Sequence, residues 1–181
     1  MDRLLIFGSA GLRASAVGLS GVVLAFHLTT LGFNAATLGL AISLGLAGCA
    51  AGTFAVTALA DRIGRRAMLF ILTLLMAGGG LLLAVLRQPA TILFAVFLGM
   101  LNGMGRDRGA GLTVEQAMLP RITPDPQRTT VFAWYNVVVD GGHAVGSLLG
   151  WTPALLRRIA GMPLVDSYRW TWALYSGICL L

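Results

Sequence analysis

The stretch Ala58–Leu69, ALADRIGRRAML, places one acid, three arginines and a glycine between two long apolar segments. The chain has 181 residues, of which 57% are hydrophobic and 11% charged, and its mean hydropathy is +0.83. Soluble domains carry about 25% charged residues, so the bilayer is the expected solvent. Apolar runs without period-two alternation predict helices there. The stretch is therefore expected to be a charged connection between two membrane helices.

The apolar runs predict an all-α membrane protein, a six-transmembrane-helix bundle in which residues 1–181 form one domain. About 20 apolar residues are needed to cross a bilayer. The sixth run, 168–181, is shorter than that, so the chain is expected to stop inside a helix of a longer protein. The spans are expected at about 14–33, 37–60, 67–86, 90–119 with a break near 103–109, 129–150 and 168–181.

Charge placement gives the expected environment and orientation. All 13 basic residues are arginines, and the seven acids leave a net charge of +6. The arginines lie mostly at the ends of apolar runs, which indicates contact with a lipid bilayer and gives no reason to expect nucleic acid. Most of them fall on the side of the N-terminus, which is therefore expected in the cytoplasm at the cell membrane. Arg157 and Arg158 are the exception to this bias.

The spacing D-R-x-G-R-R-x-x-L in the opening stretch resembles the signature loop of the major facilitator superfamily. The loop lies between the second and third spans in that family, as it does in the predicted spans here. Thr57 departs from the pattern, because the family prefers glycine at that point. The stretches EQAMLP and RTTVFAWYN also look like bacterial members of the superfamily. The matching charged and glycine positions are Asp61, Arg62, Gly64, Arg65 and Arg66.

The resemblance implies a transporter of about twelve helices in two six-helix halves, of which this chain would be the N-terminal half. A C-terminal six-helix half is then the expected partner. The resemblance also implies transport of a small solute by alternating access, coupled to an ion gradient, most often protons, and no enzyme activity. Within the signature loop, it implies that Asp61 and Arg65 form a charge network that contacts the other half and holds the outward-open state.

The fourth span contains a polar break. If the span begins at Ala90, Asn102 lies roughly 19 Å along it at 1.5 Å per residue. That is past the middle of a hydrocarbon core about 30 Å thick. Charges at such depth usually mark a functional path. The charged residues of the break are Arg106, Asp107 and Arg108.

Three interpretations of this break stay open. In the first, Arg106 or Arg108 attracts an anionic group of the substrate beside Asn102, which favours an anion as substrate. In the second, the span ends near residue 105, the arginines anchor the inner face, and residues 110–119 form a surface helix. In the third, the arginines pair with Asp107, Glu115 or Asp140.

The fifth span carries a polar face. Asn136, Asp140 and His143 follow an i, i+4, i+7 spacing, which places them on one side of a helix. An acid and a histidine one turn apart inside a membrane predict a proton relay, because histidine titrates near neutral pH. The alternative is that Asp140 pairs with an arginine of span four and locks the bundle.

The remaining side chains are expected to be structural. No metal-ligand spacing and no GxxxxGK[ST] phosphate loop occur, so no cofactor is predicted. His27 is expected to be a packed, hydrogen-bonded residue, and Cys49 and Cys179 small core residues. A non-transporting structural or assembly subunit, a membrane enzyme and an inert fragment stay as alternatives to a transporter. The aromatic residues expected in an interfacial belt are Trp134, Tyr135, Trp170 and Trp172.

Overall fold

The computed structural model describes residues 3–105 and 109–181, and these residues form helices and connecting turns without a strand. The predicted all-α class is therefore confirmed. Three helices are long and apolar enough to cross a membrane by length and composition: α1 (Arg3–Thr30), α2 (Ala35–Ile63) and α3 (Arg65–Val85). They are followed by α4 (Pro89–Leu98), α5 (Ala110–Met118), α6 (Arg128–Leu149), α7 (Thr152–Ala160) and α8 (Leu164–Leu180).

Two helices differ from the predicted spans. Helix α1 begins at Arg3 rather than near residue 14, because nothing in RLLIFGSAGLRA breaks a helix and Arg13 has a buried ionic partner within the bundle. Helix α4 ends at Leu98, before the predicted break. The chain reverses there at Met100, which has a positive φ of 54°.

The end of α4 is a Schellman motif. Leu101 N donates to Val96 O at 3.0 Å, and Met100 N donates to Phe97 O at 3.1 Å. This pair of bonds defines the motif, in which the left-handed position normally holds glycine. Methionine at that position gives no sequence signal for a helix end, which explains why the span was expected to run further.

The helix directions follow from the contacts. Helices α2 and α3 meet at Gly64, whose φ of 95° is a conformation that favours glycine, and they run in opposite directions. In α2, Val56 packs in one cluster with Val114 of α5, while Gly48 lies against Phe97 of α4. Helices α4 and α5 are therefore two successive halves of one broken span that runs beside α2.

The largest helix contact joins α1 and α6, which run parallel. Ile6 and Tyr135 share one buried cluster at one end, and Val22 lies against Gly150 at the other. Between them, Gly146 is so close to α1 that a Cβ would overlap the carbonyl oxygen of Ser15. Small residues allow such close approach of helices in membranes.

The close approach at Gly146 makes a direct prediction. Gly146→Ala should lower the thermal unfolding midpoint of the purified protein, because the overlap costs about 1–3 kcal/mol. Gly141→Ala is the matched control, since its Cβ would meet nothing within 4 Å. That variant should be neutral or stabilising by up to about 1 kcal/mol through helix propensity. Circular dichroism in detergent measures both midpoints, and equal midpoints would contradict the packing.

Candidate functional site

The signature loop lies at the end of α2 and the start of α3. The Asp61 side chain is 90% exposed, and its carboxylate lies 3.8 Å from the Arg65 guanidinium. Arg65 also donates to Ala117 O at 2.8 Å. Cations are favoured near the carbonyls of a helix C-terminus, so Arg65 fastens the loop to the end of α5. Arg62 and Arg66 are exposed.

A cavity of about 410 Å³ lies among α1, α6 and the irregular chain after α4. Helix α6 contributes Asp140, His143 and Ser147, and α1 contributes two glycines and a valine. The third wall is the backbone at residues 103–105. This is the place where non-helical backbone, a carboxylate and an imidazole meet.

Polar side chains hold the irregular segment after α4. Asn102 is buried, and its Oδ1 accepts from Met104 N at 3.2 Å. The Cys49 thiol of α2 donates to Met100 O at 3.3 Å. Irregular backbone at membrane depth is tolerated only when it is buried in protein or lines a cavity. Here Asn102 supports the buried side of the segment, and residues 103–105 form the cavity wall.

Arg106, Asp107 and Arg108 lie outside the described residues, so their assignment to an anion site or to ion pairs stays a prediction. Helix α5, which follows them, differs from the surface helix that one interpretation expected. Its buried face, including Val114 and Glu115, packs against other helices.

A buried ionic network connects α1, α5 and α6. The Arg13 guanidinium lies 2.5 Å from the Glu115 carboxylate, and both side chains are nearly inaccessible. The Tyr135 hydroxyl donates to the same carboxylate at 2.7 Å, and Ser9 Oγ donates to it at 3.3 Å. A buried charge needs such a set of partners. The Glu115 carboxylate is thus held by structural contacts with three side chains. Tyr135 is a core residue rather than part of an aromatic belt.

The predicted polar face of α6 lies partly on the cavity. Asn136 and Asp140 are exposed, while His143 is half-buried. Asp140 and His143 line the cavity, and Asn136 lies about one turn before them. Within residues 3–105 and 109–181, no ion pair includes Asp140. The ion-pairing interpretation requires an arginine paired with Asp140, and the described part of the chain supplies none.

The C-terminal end of α1 and the first half of α8 are joined by a histidine. Trp172 Nε1 donates to His27 Nδ1 at 2.8 Å, and the Tyr168 ring stacks on the imidazole with centroids 5.3 Å apart. His27 is thus a packed, hydrogen-bonded residue. The belt assignment of Trp172 was wrong, because it is 1% exposed. Trp134 and Trp170, at 62% and 61%, are exposed as a belt requires.

The long apolar helices, the broken span and the polar cavity define a multi-pass membrane protein. The chain belongs to the Major Facilitator Superfamily, whose family model matches residues 6–181.

Two curated proteins are similar to it. It is 28% identical over 178 residues to "Uncharacterized membrane protein YJR124C" of Saccharomyces cerevisiae, covering 97% of this chain and 40% of that protein. It is 28% identical over 157 residues to "Putative metabolite transport protein YwtG" of Bacillus subtilis, covering 86% and 30%. The chain therefore spans less than half the length of either relative.

The buried network makes a stability prediction. Glu115→Gln should lower the free energy of unfolding by about 3–5 kcal/mol, because it breaks a buried ion pair and removes the Glu115 charge from beside the Arg13 guanidinium. Asp125→Asn, which breaks the exposed pair with Arg128, should cost less than about 1 kcal/mol. Denaturant titration in mixed micelles, followed by circular dichroism, compares the two. Equal losses would show that Glu115 is not the anchor of the three helices.

Proposed function

We propose that this chain is the N-terminal six-helix half of a secondary transporter that moves a small solute by alternating access. The observation that carries the proposal is the cavity beside Asp140, bounded by α1, α6 and irregular backbone. Ionisable groups within a membrane usually mark a substrate or ion path. Family membership supports the same conclusion, since members of this superfamily are transporters.

Proton coupling through Asp140 and His143 is the mechanism that this arrangement supports best. The two side chains line the same cavity, and chains of acidic residues and histidines are what proton relays within membranes are built from. In one conformation they would face one side of the membrane, and rocking of the two halves would then open the cavity to the other. Arg106 and Arg108 precede α5 and favour an anionic solute.

The signature loop would act as the inner gate. Arg65 is engaged within this half, on Asp61 and on the end of α5. The Asp61 carboxylate is almost fully exposed and is available to the expected C-terminal half. A contact made by Asp61 in one state and lost in the other would stabilise the outward-open state, with Arg62 and Arg66 near the lipid headgroups.

The proton relay is tested by Asp140→Asn. In sealed vesicles from cells that express the gene, candidate solutes, including organic anions, are added while an internal dye reports pH. A transported solute should change the internal pH, and Asp140→Asn should reduce this signal to background, because the amide cannot carry a proton. Asp125→Asn, an exposed acid outside the cavity, should keep the signal.

Two results would count against this proposal. If Asp140→Asn kept the proton coupling of the wild type, Asp140 would not be part of the relay. Absence of solute movement under any imposed gradient would favour the non-transporting membrane subunit.

The proposal also places the N-terminus in the cytoplasm and the chain in the cell membrane. Arg62, near the end of α2, and Arg87, just after α3, are both exposed, and the length of α3 separates them. In intact cells, a membrane-impermeant maleimide should label Arg87→Cys and leave Arg62→Cys unlabelled until the membrane is opened. Cys49 and Cys179 are replaced by alanine in both variants. Labelling of Arg62→Cys in intact cells would reverse the orientation.

A further inference from the structure

Helix α7 lies at the membrane face opposite the signature loop. It follows α6, which runs parallel to α1 and therefore ends at the face where α2 begins. It is nine residues long and ends at Gly161, whose φ of 62° stops the helix. It carries Arg157 and Arg158, the pair that departs from the inward bias of positive charge.

The accessibility of its residues distinguishes two sides of α7. Pro153 is buried against the rest of the protein. Trp151 at the start of the helix and Ile159 two turns later are 60% and 76% exposed. The described residues leave this apolar side uncovered, which is typical of helices that lie in the bilayer interface.

Arg158 lies at the edge of that apolar side. At about 100° per residue, it is about 20° around the helix from Trp151, whereas Arg157 is about 120° away. Arg158 therefore borders the residues that would enter the lipid, whereas Arg157 lies about 40° around the helix from the buried Pro153. Exposed tryptophans mark the headgroup level of a bilayer, so Trp151 sets the depth at which the Arg158 guanidinium would lie.

The charge of Arg158 has no partner in the described part of the protein. The ion pairs of residues 3–105 and 109–181 do not include Arg157 or Arg158. Arg169 of α8, at the same face, is by contrast held by Asp166 at 3.3 Å. A guanidinium at headgroup level binds phosphate with two parallel hydrogen bonds.

We propose that α7 lies in the bilayer interface and that Arg158 binds the phosphate of an anionic phospholipid. The apolar side of the helix, with Trp151 and Ile159, packs among the acyl chains. This site is independent of the transport cavity, because α7 contributes nothing to the walls of that cavity.

The test titrates the purified full chain with phosphatidylglycerol and with phosphatidylcholine, and counts bound lipid by native mass spectrometry. Arg158→Gln should weaken phosphatidylglycerol binding at least about tenfold, as expected for the loss of hydrogen bonds between charged groups. Arg157→Gln, the neighbour on the same helix, and Arg87→Gln, an exposed arginine at the same face, should each weaken it no more than about fivefold, the effect of one arginine near an anionic surface. Phosphatidylcholine binding should be the same in all variants.

Location is tested separately with lipids brominated on the acyl chains. They should quench the tryptophan fluorescence of the wild type more than that of Trp151→Phe. In the titration, an equal loss of phosphatidylglycerol binding in Arg158→Gln and Arg87→Gln would overturn the site, because it would reflect net charge alone. Equal quenching in the wild type and Trp151→Phe would overturn the placement of α7 in the lipid.

Discussion

Lipid cannot satisfy a backbone hydrogen bond, and the break in the fourth span makes this constraint decisive for the protein. At residues 99–105 and 109 the chain is not helical, so the polar groups of its backbone there must find partners inside the bundle. The Schellman turn at Met100 satisfies two of them, and Asn102 and Cys49 satisfy others. The segment can be enclosed because glycines of α1 and α2 let it approach: Gly21 meets Gly105, and Gly45 meets Leu101.

The enclosure of the break also determines which side of α6 faces the cavity. One side of α6 is occupied by its contact with α1, where Gly146 removes all space between the helices. The neighbouring side then faces residues 103–105 across the cavity, and this is the side that carries Asp140 and His143. A third side, with Trp134 and Leu148, is apolar and exposed. The polar side is thus directed to the cavity by packing elsewhere on the same helix.

Local patterns in the sequence predicted much of this arrangement. The charged connection at Gly64, the break in the fourth span and the shared face of Asp140 and His143 follow from spacing within one or two helical turns. The pair of Arg13 and Glu115 joins residues 102 positions apart, and no local pattern encodes such a contact. Trp172 was misassigned for a similar reason. Its partner His27 is distant in the chain, so its position near a span end suggested lipid when it is in fact core.

Asp140 and Glu115 show how two acids in one bundle acquire different roles. Glu115 is inaccessible and receives a guanidinium and two hydroxyls, so its charge is matched where it stands. Asp140 is exposed, lines a cavity and forms no ion pair within residues 3–105 and 109–181. A carboxylate at membrane depth cannot face hydrocarbon at that cost, so its surroundings must supply water, a proton or a cation. Under the proposed function each of these would come and go as the cavity opens and closes, whereas the partners of Glu115 cannot leave without opening the contacts among α1, α5 and α6. The fixed pair therefore suits holding the helices together, and the open carboxylate suits a step that would repeat in the proposed transport cycle.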